Sequence, residues 1–336
     1  MNPPPHKQKP IKKKFFKYFY RSSRSWKKKF QDHTGKKRSV LQLVWLLQGS
    51  VITSVIPWIL FFTAYGFLIY LLKYYQIFSF STQATDIVQN IVLSFNLILS
   101  LLLIFRTNSA NERYWEGRKL WGALVNTVRN LTRNISVTIE TKQESEQLEK
   151  EITQKLVIAF AVAMKLHLRQ EKVDDEVEKL MSKASYLKLK TVAHPPLEIS
   201  LWIGEYLQKC YYNNLVNVYQ LNALHKLVDE LINILGGCER ILKTPTPLTY
   251  SMFLRQLLIV YCLLLPIELV VYIDWLAAPF MAFFSLFFFG IEEICSELEN
   301  PFGHDPNDLP LDHICNTISD NIEDLIAKHV NIHDNY

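Results

Sequence analysis

From Ser39 to Leu72 the chain reads SVLQLVWLLQGSVITSVIPWILFFTAYGFLIYLL, without one Asp, Glu, Lys or Arg. A helix of about 20 apolar residues crosses a bilayer core, so this block can span a membrane with residues to spare. Three further blocks follow the same logic. Ile87 to Phe105 is uncharged and just long enough, Leu257 to Ile273 is interrupted only by Glu268, and Trp275 to Ile291 carries no charge before Glu292 and Glu293. Little more than Asp274 separates the last two, which predicts a tight helical hairpin or one interrupted span. The sequence therefore predicts an all-α integral membrane protein with four transmembrane helices.

The charge is distributed as unevenly as the apolar residues. The first 38 residues hold fourteen Lys or Arg against the single acid Asp32, a net of about +13, so the rest of a chain whose total is +5 carries about −8. Placed directly before a span, such a segment is expected on the cytoplasmic side, with affinity for anionic lipid headgroups. Nothing outside this tail supports a nucleic-acid partner. The tail is richer in Lys than the Arg-rich targeting peptides, and the first apolar block lies too far in, and is too long, for a cleavable secretory signal.

Between Arg106 and about Lys243 charges return at ordinary density and apolar positions recur at helical spacing: Leu120, Leu124, Val128 and Leu131, then Ile152, Leu156, Ala159, Phe160 and Ala163. This predicts a cytoplasmic bundle of amphipathic helices. Breaks are expected at Ala193-His194-Pro195-Pro196, at Gly236-Gly237 and at Pro245 and Pro247. The resulting organisation is a basic tail (1–38), two spans (39–105), a helical bundle (106–248), two more spans (249–296) and a C-terminal belt and helix (297–336), with both termini cytoplasmic. Five cysteines without a CxxC pair argue against a zinc site and a disulfide scaffold. Nine histidines are dispersed and mostly lie outside the spans, and neither a Gly-rich phosphate loop nor HExxH occurs. No cofactor, metal or enzymatic constellation is expected.

The passage LILSLLLIFRTNSANERYWE, residues 97–116, goes from apolar to charged without Pro or Gly. A helix continuing through it would leave the membrane directly into a polar environment. Leu97, Leu101 and Phe105 then fall at i, i+4 and i+8 on one stripe. Such a stripe either packs against a neighbour or, in a ring of identical subunits, lines an axial passage that apolar side chains close by dewetting. Arg106 lies about 100° around the helix from that stripe, which favours an intersubunit or headgroup partner for it.

Three blocks carry a family resemblance. FRTNSANERYWEGRKLWG (Phe105 to Gly122), CERILKTPTPLTY (Cys238 to Tyr250) and IEEICSELENPFGHDPNDLPLD (Ile291 to Asp312) resemble, in order and in position between the apolar blocks, the signature elements of bacterial and plant bestrophin-like proteins. The resemblance covers about residues 39–330 and excludes the tail. It implies a homopentameric channel with one axial pore, most members passing chloride or similar inorganic anions, resident in a bacterial cell membrane or a plastid membrane. Carried over by residue, the hydrophobic neck falls on Leu97, Leu101 and Phe105. The cytoplasmic aperture falls on Thr246, between the two prolines, where several relatives have a bulky aliphatic residue. A shorter, hydroxyl-bearing residue there implies a wetter and weaker barrier beyond a cytoplasmic cavity.

Animal members bind calcium through an acidic cluster after Asn-Pro-Phe-Gly. Here Gly303-His304-Asp305-Pro306-Asn307-Asp308 offers two carboxylates, too few for a cation that wants six to eight oxygens, so calcium activation is not expected. Asp308 is a candidate cap for the helix that follows. Two rivals remain open at this point: a cation-selective channel of the same fold, which the −8 balance makes conceivable, and a non-conducting scaffold or lipid-binding protein whose tail is the active element.

Overall fold

The computed structural model describes residues 51–77 and 82–333. The basic tail and the start of the first apolar block lie outside the described residues. Those described form only helices, turns and loops, as the sequence predicts. They fall into two compact units, one of residues up to Ser100 with Arg255–Ile294, the other of Leu101–Leu254 with Cys295 onward.

In the first unit, α1 (Ile52–Tyr74) buries Val55, Phe62, Gly66 and Ile69, an i, i+7, i+11, i+14 stripe. Helix α8 (Leu248–Ile273) ends in a 3-10 turn at Asp274–Leu276, and α9 (Ala277–Glu299) follows. Arg255 reaches Glu292 at 2.6 Å, and the Tyr261 and Phe288 rings meet 5.2 Å apart, so α8 and α9 are antiparallel and the expected hairpin forms. The turn works because Asp274 adopts a positive φ of 48°, a conformation Asp tolerates better than most side chains. Lys73, closing α1, donates to Val270 O at 2.8 Å and Asp274 Oδ1 at 2.7 Å. Helix α1 lies along α9 through stacked Trp58, Phe62 and Phe289. Gly66 permits that approach, since a Cβ there would come within 2.9 Å of Met281 Cγ.

Among the described residues, three helical stretches can cross a membrane by length and composition, Ile52–Tyr74, Asp86–Thr138 and Thr249–Glu299. The third contains both apolar blocks of the hairpin.

Helix α2 (Thr82–Thr138) has 57 residues and is about 85 Å long at 1.5 Å per residue. Its second half enters the core of the larger unit with Trp121, Leu124, Val128, Leu131 and Ile135 fully buried. Helix α3 (Glu144–Leu168) runs through the centre of that unit. Everything from Leu156 to Leu168 is buried except half-buried His167, so α3 is not the amphipathic helix its spacing suggested, and Ile152, expected inside, is exposed. The run LVIAFAVAM is apolar on every side because neighbours cover every side: α6 (Pro195–Tyr212), α7 (Val218–Lys243) and α10 (Leu311–His333) all contact α3. Two short helices, α4 (Asp175–Glu178) and α5 (Lys183–Leu189), fill the connection before α6.

The break at His194-Pro195 is present, with His194 as N-cap and Pro195 opening α6, a position where the missing N–H costs nothing. The break at Gly236-Gly237 is absent, because α7 continues to Lys243. Gly237 serves close packing instead: a Cβ there would sit 3.0 Å from the Leu120 methyls. Asp308, the candidate cap for α10, makes a contact inside the belt. It accepts from Asp305 N–H at 2.6 Å within the belt, which Leu309 N closes onto Pro301 O at 2.9 Å.

Where α2 ends, its last carbonyls need donors. Buried Lys150 supplies them, with Nζ 2.9 Å from Ser136 O and 2.8 Å from Ile139 O, a cation at the negative end of the helix dipole. Burial lowers the ammonium pKa from its usual value. Replacing Lys150 with Met would leave these carbonyls buried without partners, at a cost of about 1–3 kcal/mol. Denaturant unfolding of the purified protein in detergent is expected to show that loss; an unchanged midpoint would contradict the capping role.

Candidate functional site

The site is the stretch of α2 where apolar residues give way to charged ones. Val92, Leu99, Leu103, Arg106 and Ala110 are buried, marking the inward face of the helix. Leu97, Leu101 and Phe105 lie on another face and are 77%, 54% and 55% exposed within the chain. They are not alone in this, as Ile91, Ile98 and Ile104 are also exposed. The stripe continues past Phe105 as exposed Asn108 and Glu112, so one helical face changes from apolar to polar within a single turn.

That change coincides with a buried polar junction. Arg106, 2% exposed, donates from Nη2 to Glu299 Oε2 at 2.7 Å and from Nη1 to Thr246 Oγ1 at 2.5 Å. The Thr246 hydroxyl in turn donates to Glu299 Oε1, which also accepts from Thr246 N–H at 2.6 Å. A charge buried here is tolerated because both members of the pair are hydrogen-bonded on several atoms. Two turns further along α2, Arg113 spreads its guanidinium over three backbone carbonyls: Ile241 O at 2.5 Å, Thr244 O at 2.6 Å and Glu299 O at 3.1 Å. These are the ends of α7 and α9, where carbonyls lack helical partners. Tyr250 donates its hydroxyl to Leu102 O at 3.0 Å, and Thr107 meets Cys295 Sγ at 3.5 Å.

Arg106 thus has its partners inside its own chain, contrary to the intersubunit or headgroup partner expected from its position. A residue 100° from the stripe lies on the inward face of α2, and that is where the side chain goes. Thr246 is half-buried, with its proton and a lone pair committed to Glu299 and Arg106. It meets the guanidinium of the residue that directly follows Phe105. The hydroxyl expected to wet the aperture is therefore engaged within the chain.

Glu299, Arg113 and Tyr250 stand within the three signature blocks, but the sequence alone assigns them no role. All three blocks meet here: Arg106 and Arg113 from the first, Ile241, Thr244, Thr246 and Tyr250 from the second, Glu299 from the third. The signal available was the blocks' joint presence, since nothing in spacing pairs residues 140 and 193 positions apart.

The chain matches the family described as Bacterial/Fungal Bestrophin protein over residues 32–324. A protein of Nostoc sp. named voltage-dependent anion channel-forming protein is 45% identical over 299 residues, 89% of this chain and 95% of its own length. One of the same name in Synechocystis sp. is 48% identical over 231 residues, 69% of this chain and 75% of its own. Among solved structures, a mutant of a bacterial bestrophin homologue from Klebsiella pneumoniae aligns with a TM-score of 0.74 at 25% identity, covering 83% of this chain and 99% of that one.

Lysine cannot reproduce the arginine fork, because its ammonium serves these separated carbonyls one or two at a time. Arg113→Lys is therefore expected to lose about 1–3 kcal/mol of stability and to speed amide exchange across residues 241–246. Wild-type exchange rates in the variant would show that the fork is dispensable.

Proposed function

The chain belongs to the bestrophin family, and on that premise we propose that it forms a homopentameric anion channel working by passive electrodiffusion. The observation that carries the reading is the stripe of Leu97, Leu101 and Phe105, bulky and exposed in the single chain, on a helix whose inward face carries the buried Arg106. Bulky apolar groups so placed need cover from lipid, from a neighbouring subunit or from the pore axis of a ring. Five copies turning this face inward would stack three apolar rings, a constriction that closes by dewetting and opens when the rings widen or wet. The names of the Nostoc and Synechocystis relatives support anions as the permeant species.

In this proposal α1, the first half of α2, α8 and α9 cross the membrane, and the bundle and both termini are cytoplasmic. The remainder of α2 continues from the neck into the bundle. Thr246 lines the path beyond Phe105 while its hydroxyl and N–H hold the junction. Arg106 is not the source of anion preference, because Glu299 neutralises it at 2.7 Å. Positive potential has to come from elsewhere on the path, such as helix N-termini. The belt from Asn300 to Pro310 does not confer calcium activation.

The test is bilayer recording of the purified protein in a chloride gradient, beside a variant with Leu97, Leu101 and Phe105 all changed to Ala. The expected result is reversal near the chloride potential, with larger or less gated current in the variant. Reversal near the cation potential would overturn the selectivity. Silence from both proteins would favour a scaffold.

A further inference from the structure

Away from the neck, three side chains with metal-ligating atoms converge. His167 lies in the last turn of α3, His194 caps α6, and Glu239 lies near the end of α7. Both imidazole Nε2 atoms stand 2.7 Å from the same carboxylate oxygen, Glu239 Oε1. The three donor atoms all fall within 4.8 Å of one another, and the imidazole rings lie 4.4 Å apart at 35°. All three side chains are partly buried, at 21%, 30% and 17% exposure. We propose that His167, His194 and Glu239 form a binding site for a divalent transition-metal ion of the zinc class.

The division of labour on Glu239 supports this. Oε1 faces the two imidazoles, while Oε2 accepts from Lys243 Nζ at 2.9 Å. An ion taking Oε1 leaves the Lys243 bond in place as a support for the bound carboxylate, the arrangement that commonly orients metal ligands.

Without an ion each Nε2–H donates to Oε1. An ion replaces those two protons, which move to Nδ1 or to solvent. On His194 this gives up the weak contact of Leu197 N–H to Nδ1 at 3.4 Å. Tetrahedral zinc at about 2.0–2.2 Å from each ligand needs the donors somewhat further apart than 2.7 Å, an adjustment within the reach of partly exposed side chains. Two imidazole nitrogens and one carboxylate oxygen suit zinc and its neighbours, whereas calcium and magnesium prefer oxygen alone. Partial exposure leaves room for water as a fourth ligand.

Sequence spacing gives no hint of the site, because Glu239 is separated from the two histidines by 72 and 45 positions. Its position gives it a consequence. Glu239 is on the turn of α7 that leads to Ile241 and Thr244, the carbonyls Arg113 holds. A bound ion would tie the ends of α3 and α7 to the start of α6 and stiffen the segment that delivers Thr246 to Arg106.

The experiment uses full-length protein, purified in detergent and stripped with a chelator, then titrated with Zn²⁺ and Co²⁺ against a chromophoric competitor. One ion per chain is expected, with the visible absorption of four-coordinate Co²⁺ and a higher thermal midpoint with Zn²⁺. His194→Ala and Glu239→Gln should each weaken binding by more than about tenfold. His304→Ala, which alters a separate His–Glu contact at 2.6 Å, should bind as wild type. No ion above background, or binding that survives both substitutions as an adventitious ion only, overturns the proposal. The wild-type cobalt spectrum decides independently of how well the variants fold: a pale six-coordinate spectrum also overturns it.

Discussion

The segments around the proposed neck depend on one buried ion pair, Arg106 with Glu299, joined by Thr246. A helix leaving an apolar stretch would be expected to end, or to fray, where its first charges appear. Here the first charge turns inward and is paired within the chain, so the backbone does not have to break. The cost of burying the pair is offset on both sides: the guanidinium donates to a carboxylate oxygen and a hydroxyl, and the carboxylate also accepts from the Thr246 hydroxyl and N–H. Its loss would leave one charge buried alone, so the junction behaves as a unit.

The consequences run in both directions along α2. Toward its start, the anchored turn sets which face of the helix is inward and therefore which face carries Leu101 and Phe105. Toward its end, the same helix supplies Trp121 to Ile135 to the larger core and is closed by the Lys150 ammonium. The junction also gathers the ends of α7 and α9 through Arg113, where side-chain donors substitute for missing helical ones. Three segments distant in sequence are held at one point by hydrogen bonds from two arginines.

Much of the architecture is legible in the sequence because it rests on local properties. Apolar blocks of sufficient length, broken only by Glu268 in the hairpin, mark α1, the first half of α2 and the hairpin; Pro195, Pro245 and Pro247 mark real breaks, whereas Pro57 and Pro266 stand inside α1 and α8, so proline punctuates only where neighbouring polar and turn residues accompany it. Glycine is less reliable: Gly237 looks like a break and is a packing contact with Leu120. Helical spacing finds Leu124, Val128 and Leu131 but misplaces exposed Ile152, and over the second half of α3, which is covered on all sides, periodicity no longer distinguishes its faces. The partners of Arg106, the Lys150 cap and the His167–His194–Glu239 cluster were not legible, since each pairs residues brought together only by tertiary packing. Family signature blocks pointed at the right segments without saying which atoms meet.

The most direct test of this account is a double-mutant cycle on Arg106 and Glu299, using Arg106→Met, Glu299→Leu and the pair, read as unfolding free energy of the purified protein. Each single substitution is expected to cost about 3–5 kcal/mol, because it strands a buried charge. The double variant should cost less than the sum by about 1–3 kcal/mol. Strictly additive losses would mean that the two residues act independently and that the junction does not hold the long helix.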